Sequence, residues 1–547
     1  MPATVQHHRP IPVSLRRLFP TASFIGCSDV IATDVVEDSR LASPGTVFAV
    51  IRGTQVDGAR FVEDAVQQGS PAILTEQPVP GITVPQCIVS DTRLAYSKLC
   101  DAILGYPARR LKVCGVTGTN GKSTTAWLLQ AILTAAGERC GLLGTIEYSD
   151  SFSTGPSTLT TPDSRLSAHW FRRMVDVGAS AAVIELSSHA LHQRRVAAIP
   201  LAAAIITNVT RDHFDYHGHF EDYLDAKSQV LSLVAPGGCI VINSDDAGCV
   251  RLIEPARQTG HQVITIGFNP DADLRAELLD ESIDGSRFRI AFRSEAVRQS
   301  LSGAAGSRRD GASQPVMVRS ASQQAQQPSP IPLFEVSTSL PARHNVMNCL
   351  AATVVALHLG ASPESIARGI EQTRSVPGRL ERIDLGQPFH VFVDYAHTDD
   401  ALRRVVDNLN SLTSGRVICL FGAGGERDCT KRPLLAEAAS HADVAVVTSD
   451  NPRTESSTQI IEDILAGFPD GYSGFHIEPD RRRAIAHAFS LAEPDDCVLI
   501  AGKGHESSQI IGQERHPFDD RQVAAELLRE LPSVRTGAPD SLMEADQ

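Results

Sequence analysis

The chain carries 11 cysteines in 547 residues, yet it has no CxxC pair and no zinc-ligand spacing. A disulfide framework and a structural zinc module are therefore not expected. Several cysteines, such as Cys114, Cys419 and Cys497, sit inside apolar strand-like runs. They read as buried, reduced thiols of a cytoplasmic protein. No stretch of about 18 apolar residues is present, so no membrane span is expected. The N-terminal segment lacks the long apolar core of a secretory signal. There is no long basic run, and the net charge is -14, from 64 acidic and 50 basic residues. Nothing favours a nucleic-acid surface. An acidic protein that binds anionic nucleotides must concentrate positive charge locally.

What is present points to a large enzyme. The length suits about three domains, and a hydrophobic content of 42% supports real cores. Residues 1–106 read as a small α/β unit, with strands at 47–51 and 72–75 around a helix at 62–68. From 107 short apolar strands alternate with helices, and strands are expected at 181–186, 203–207, 239–243 and 263–266. Such alternation builds a mostly parallel sheet covered on both faces. The segment 298–330 is rich in Ser, Gln, Ala, Arg and Pro. It reads as a disordered insertion in a central domain spanning 107–340. A second alternation fills 341–547, with strands at 390–394, 417–421, 444–448 and 498–501. The expected fold class is α/β in three domains, with a central P-loop-type, mostly parallel sheet and a doubly wound C-terminal domain. Ligands then bind at the carboxyl ends of the strands.

The polar motifs fall at those ends. Gly115-Val116-Thr117-Gly118-Thr119-Asn120-Gly121-Lys122-Ser123-Thr124 follows an apolar run at 111–114 and precedes a helix-like run at 125–136. Strand, glycine-rich turn and helix together make a phosphate cradle. Lys122 would reach the terminal phosphates, and Ser123 or Thr124 would hold Mg²⁺. Five residues, not the four of the standard P-loop, separate Gly115 from Gly121. Glu185 ends a strand, where it reads equally as a Mg²⁺ ligand or a helix cap. The run from Thr207 to Gly218 is dense in Asn, Asp and His; His213 is its best ligand candidate, and Asp212 would orient neighbours. Lys227, on a helix, reads by itself as a solvated surface lysine. Asp394-Tyr395-Ala396-His397, Gly424 to Asp428, Asp450-Asn451-Pro452-Arg453 and Gly502 to Glu506 follow four more strands. Four polar clusters at strand ends of one sheet imply a single site, with arginines for carboxylate or phosphate.

Taken together these motifs resemble the Mur ligases, ATP-dependent enzymes that build the stem peptide of peptidoglycan, the wall polymer on which cell shape and division depend. The resemblance covers nearly the whole chain outside 298–330 and the tails. Within the family, Asp450 to Arg453 and Glu506 favour the ligase that adds meso-diaminopimelate to UDP-MurNAc-L-Ala-D-Glu. The resemblance implies an ADP-forming amide ligase that works through an acyl phosphate, in the cytoplasm and as a monomer. It implies ATP contacts from Gly118, Thr119, Asn120, Gly121, Lys122, Ser123 and Thr124, and from Asn345, Arg379 and Asp394 of the C-terminal domain. Ser39, Thr160, Thr161, Ser187, Gln193 and Arg195 fall where the family holds the sugar-peptide substrate. Arg427, Asp450, Asn451, Pro452, Arg453, Gly502 and Glu506 match the diaminopimelate pocket. Ser123, Glu185, His213 and Lys227, the last as a carbamate, match Mg²⁺ ligands; with Lys122 they form the implied catalytic set. The base that takes the amine proton is open between His213 and His397.

Three departures stand out. Asp399 replaces a proline frequent in the family, Asp57-Gly58-Ala59 lacks a frequent His, and Leu159 stands where Asn is often found. A lysine-adding ligase, a folylpolyglutamate synthetase-like enzyme and a nucleotide-dependent binding switch remain as rivals.

Overall fold

Short runs of Val, Ile, Leu and Ala that are buried end to end organise the chain. In the computed structural model, which describes residues 10–53, 56–303 and 331–531, they assemble into three main sheets. The central sheet has eleven strands. Lys112–Thr117 lies in its interior between parallel neighbours Ala181–Glu185 and Leu201–Ile206. Parallel pairing continues to Cys140–Leu143 on one side and through Val234–Asn243, Gln262–Gly267 and Leu274–Ser282 on the other. Antiparallel strands close both edges. Glu147–Ser149 and Thr154–Pro156 finish one, and Gly285–Phe292 and Ile331–Thr338 the other.

The expected strand at 111–114 is longer, running Lys112–Thr117, and its helix starts earlier, at Lys122, running to Ala135. Gly121 takes the turn with φ +83°, so Lys122, Ser123 and Thr124 form the first helical turn and point their amides toward the loop mouth.

Two corrections concern the limits of this unit. The helices Arg343–His358 and Pro363–Gln372 pack against Lys122–Ala135, and Val346, Leu350, Val354 and Ile366 join the central core. A Cβ at Gly369 would overlap the Ile132 backbone, so Pro363–Gln372 and Lys122–Ala135 meet backbone to backbone. The chain thus leaves the central core well after the break expected at 341. The reason is that Arg343–His358 is buried on almost every side and its apolar pattern does not reveal which unit it serves. The segment 298–330 also starts differently. Residues Glu295–Gly303 are helical, and Leu301 is buried in the central core. Residues 304–330 lie outside the described residues.

The N-terminal sheet has five strands in the order Ser23–Ile25, Gln86–Ile88, Ile73–Thr75, Thr46–Ala49, Asp34–Val36, parallel except for the first pair. The C-terminal sheet has six, in the order Glu381–Arg382, His390–Asp394, Cys497–Ala501, Val417–Phe421, Val444–Val447, Phe475–Ile477, parallel except at the first edge. Separate apolar clusters cover its two faces, one around Phe392, Leu402 and Leu435, the other around Val391, Ile485 and Leu528. This is the doubly wound arrangement. All 11 cysteines are unpaired, and nine are buried. Among the described residues no helix is long and apolar enough to cross a membrane.

Beneath the ligand end of the C-terminal sheet, Arg481 and Asp520 form a two-pronged ion pair at 2.8 and 2.7 Å, with no side-chain surface exposed. Arg481 also donates to the carbonyls of Ala501 and Ser449, at 2.9 and 3.4 Å. Arg481→Ala would leave a buried carboxylate unpaired. We expect it to cost about 3–5 kcal/mol in urea unfolding of this unit, and the double variant Arg481→Met/Asp520→Leu to cost clearly less.

Candidate active site

The phosphate loop is shaped by close approach. A Cβ on Gly118 would overlap Thr207 Oγ1, and one on Gly121 would lie 2.6 Å from Asn348 Oδ1. The neighbouring strand end pins the loop. Thr207 Oγ1 donates to the Asn120 carbonyl at 2.6 Å, and Asn208 receives the Asn120 amide at 2.8 Å. The Asn120 side-chain Nδ2 is buried without a hydrogen-bond partner. Lys122 Nζ donates to the carbonyls of Gly118 and Thr119 at 2.9 and 2.7 Å. Burial pushes its ammonium below the usual lysine range, and the nearby Glu185 partly opposes that.

A cavity of about 970 Å³ opens from this loop, lined by Thr119, Lys122, Asn208, Phe268, Asn345 and Arg379 among others. Its size and mixed lining suit a nucleotide. Asn345, expected from the C-terminal domain, comes instead from the central helix Arg343–His358. It donates to the Pro341 carbonyl at 2.7 Å and accepts from Asn348 at 3.1 Å.

Glu185 is fully buried. Its carboxylate accepts from Ser123 Oγ at 3.0 Å, from Thr145 N at 2.9 Å and from Thr145 Oγ1 at 2.9 Å. All three donors are neutral, and among the described residues no cation forms a direct ion pair with this carboxylate. Carboxylate and hydroxyl oxygens at a phosphate loop are the donor set Mg²⁺ takes, so the residues fit that ion. The cap reading of Glu185 is overturned: Ser187, not Glu185, caps the helix Ser188–His192 by accepting from Ala190 N.

His213 begins the helix Phe214–His217 in a left-handed conformation, φ +54°. Burial lowers its imidazole to about 4, against the pull of Asp212, whose carboxylate is 3.4 Å away. Lys431 of the C-terminal unit reaches the same Asp212 at 3.6 Å. Neutral His213 has the ligand form. Among the described residues, however, no three His, Cys, Asp or Glu side chains converge on one point. Lys227 is 1% exposed, which overturns the surface reading. Its Nζ lies 4.6 Å from the Tyr223 ring centroid, and Tyr223 OH is 3.0 Å from Thr119 Oγ1 of the phosphate loop. Burial pushes this ammonium far below the usual lysine range.

The C-terminal unit closes onto the loop. Arg379 Nη2 donates to Ser123 Oγ at 3.1 Å, and its guanidinium lies 4.7 Å from the Tyr395 ring centroid. Asp394 accepts from the amides of Leu380 and Ala396, at 2.6 and 2.7 Å. Burial raises its carboxyl, and Arg379 opposes the rise. Thr210 Oγ1 also donates to Asp400 at 3.1 Å. Asp399, the departure from proline, opens the helix Asp399–Leu412, where an acid complements the helix dipole. His397 Nδ1 lies 2.8 Å from the Tyr395 carbonyl.

Beside Glu185, Thr160 Oγ1 lies 3.1 Å from Thr145 Oγ1, whose hydrogen goes to the Glu185 carboxylate, and Thr161 Oγ1 donates to the Glu185 carbonyl at 2.7 Å. Ser187 N donates back to Thr161 at 2.9 Å. Arg195 forks onto Gln193 at 2.7 and 3.0 Å. Gln193 and Arg195 line a cavity of about 170 Å³ with Glu37, Arg93, Tyr96 and Leu159. Ser39 is buried in a short turn capped by Asp38, and it is not among the residues lining that cavity.

At the far end, Arg453 adopts φ +52° and donates to the Gly425 carbonyl at 2.5 Å. The hairpin Ser508–Ile511 with Glu514–Pro517 braces the Asp450 to Arg453 loop. Arg453 N donates to Ile510 O at 3.1 Å, and Ile510 N donates to Asn451 Oδ1 at 2.9 Å. Gly502 has φ +112°, and a Cβ there would stand 2.9 Å from Asp450 Oδ2. Asn451 Nδ2 donates to Glu506 at 2.9 Å. Arg427 is exposed on the rim. Sequence reasoning missed Thr145, Asn348, Lys503 and Arg481. Thr145 follows a strand but belongs to no motif. Lys503 stands inside the Gly502 to Glu506 motif, and its burial is what singles it out.

Three family descriptions match the chain: "Mur ligase family, catalytic domain" over residues 33–102, "Mur ligase middle domain" over 116–356 and "Mur ligase, glutamate ligase domain" over 378–504. The UDP-N-acetylmuramoyl-L-alanyl-D-glutamate--2,6-diaminopimelate ligase of Geobacillus thermodenitrificans (strain NG80-2) is 37% identical over 517 residues, 92% of this chain and 96% of that protein. A solved structure of a ligase of that name superposes with a TM-score of 0.63 at 28% identity, covering 95% of this chain and 99% of the other. A Mycobacterium tuberculosis folylpolyglutamate synthase complexed with ADP gives 0.57 at 19% identity, over 75% of this chain and 91% of the other, a likeness of fold alone.

Near this site, His217 is buried 3.0 Å from Ser188 Oγ, and burial followed by His189 and His192 lowers it to about 4. The unfolded chain therefore takes up this proton first as pH falls. The His217 contribution to stability is level above about pH 6.5 and drops away toward pH 4. We expect His217→Gln to flatten part of that drop, as read by Tm against pH.

Proposed function

The chain belongs to the Mur ligase family, and from that premise we propose that it couples ATP hydrolysis to joining meso-diaminopimelate to UDP-MurNAc-L-Ala-D-Glu, a step in peptidoglycan precursor synthesis. The observation that carries this reading is the chain of bonds Arg379–Ser123–Glu185. It brings the C-terminal unit, which bears Asp450 to Arg453 and Glu506, onto the phosphate loop. The relatives' name supplies the identity of the two substrates. A nucleotide-activated precursor and ATP fit a cytoplasmic reaction.

In this reading the D-glutamyl carboxylate attacks the γ-phosphate, giving an acyl phosphate and ADP. The amine of diaminopimelate then attacks the acyl carbon, and phosphate leaves. The first step brings two anions together. Lys122, Arg379 and the loop amides offset that repulsion. Mg²⁺, when bound, supplies further positive charge at the phosphates; Ser123 and Glu185 would hold it, with His213 and a carbamate on Lys227 as further ligands. Closure of the C-terminal unit keeps water from the acyl phosphate. Arg453 offers a guanidinium to the distal carboxylate of diaminopimelate, which lysine lacks, and Glu506 faces its distal ammonium.

Burial of Lys227 supports the carbamate, because an uncharged amine is the form that adds CO₂. Labelling with ¹³C-bicarbonate should give a carbamate signal that Lys227→Met lacks, and that variant should lose about 10- to 100-fold in kcat. No signal, with full activity of the variant, would remove Lys227 from the site.

ADP release with UDP-MurNAc-L-Ala-D-Glu and ATP-Mg²⁺ tests the whole reading. Turnover is expected with meso-diaminopimelate and not with L-lysine. Arg453→Ala should cut the preference by about 10- to 100-fold. Turnover with lysine would sink the pocket reading. Turnover with neither would favour a folate-type ligase or a binding switch.

A further inference from the structure

Lys503 is a fully buried lysine, and no step of the reaction uses it. Its Nζ makes three bonds, to Ser508 O at 2.8 Å, Asn451 Oδ1 at 3.2 Å and Glu506 Oε2 at 3.2 Å. The same Glu506 oxygen receives Asn451 Nδ2 at 2.9 Å. Two consequences follow. First, the Asn451 amide is fixed in one orientation. Its oxygen receives Lys503 and the Ile510 amide, so its nitrogen must face Glu506. Second, one oxygen of Glu506 is committed to a protein cation, which leaves Oε1 for a ligand.

The charges of the linked groups then balance. Asp450 and Glu506 are acids, Arg453 and Lys503 are bases, and they lie on three loops tied to one another through Asn451 and the Ser508–Ile511 strand. The neighbouring Arg481–Asp520 pair is closed on itself and adds no net charge. Arg427, exposed at the rim, is screened by water. A pocket with no net charge suits a distal group that is itself a zwitterion. An amino acid ending in a lone ammonium suits a pocket with an excess acid.

Building on the diaminopimelate reading above, we propose that Lys503 is a positioning residue for selectivity: as the buried counter-ion of Glu506, it tunes the pocket to a zwitterionic side-chain end and disfavours a purely cationic one. Without Lys503, Glu506 is an uncompensated acid, and the advantage shifts toward L-lysine.

The test compares kcat/KM for meso-diaminopimelate and L-lysine in the wild-type full chain, in Lys503→Met and in Lys503→Met/Glu506→Gln, which removes both charges and avoids a stranded carboxylate. In Lys503→Met the diaminopimelate-over-lysine ratio should fall by about tenfold or more. The change should appear in the KM for the amino acid, with the KM for ATP unmoved. In the double variant the ratio should recover toward wild type, even if turnover is lower. A merely structural role would lower both amino acids alike and leave the ratio unchanged in every variant, and that result would overturn the inference. Should Lys503→Met misfold, Lys503→Gln, which keeps a donor toward Asn451 and Glu506 but removes the charge, should show the same fall in the ratio, and an unchanged ratio there would overturn the inference. Failure of the wild type to use diaminopimelate would instead count against the functional reading on which the inference rests.

Discussion

A carboxylate buried under a phosphate loop is the constraint around which the structure is arranged. Glu185 lies opposite Val116 in parallel register, at the point where Lys112–Thr117 turns into the loop. Gly144 must be glycine, because a Cβ there would overlap Glu185 Oε1. The donors that hold Glu185 lead outward in two directions. Thr145 leads to Thr160, and Ser123 leads to Arg379 of the C-terminal unit. One buried charge is thus tied through these donors to groups on both sides of the phosphate loop. A buried carboxylate held only by neutral donors beside a phosphate loop is a favourable place for a divalent cation.

Around the C-terminal strand ends, three buried cations are paired with carboxylates. Arg481 with Asp520, Lys503 with Glu506, and Arg432 with Glu455 and Asp463 each join an acid to a base around the C-terminal strand ends. Such pairs add little net stability. Their effect is to hold loops in fixed positions and to set the local charge.

Much of this was legible in the sequence. The phosphate loop, the strands His390–Asp394 and Val417–Phe421, and the clustering of motifs at strand ends were visible because continuous apolar runs and glycine-rich turns are local signals. The edge strands of the central sheet were not seen, since their half-exposed residues lack a continuous apolar run. The place of Arg343–His358 and of Asn345 was misread, because which sheet a helix covers is decided by packing. Lys227 shows the limit most plainly. Its position on a helix suggests solvent, and only the fold reveals that Tyr223 and its neighbours enclose it. Lys503 and Arg481 were invisible for the same reason: sequence displays charge but not burial.

The most direct test of the central role of Glu185 is Mn²⁺ binding, followed by electron paramagnetic resonance with and without ATP, in the wild type and in Glu185→Gln. The variant keeps the side-chain shape and removes the charge. The account predicts that nucleotide-dependent Mn²⁺ affinity falls by about tenfold or more, while metal-free ATP affinity is retained. Equal Mn²⁺ affinity in the two proteins would contradict it.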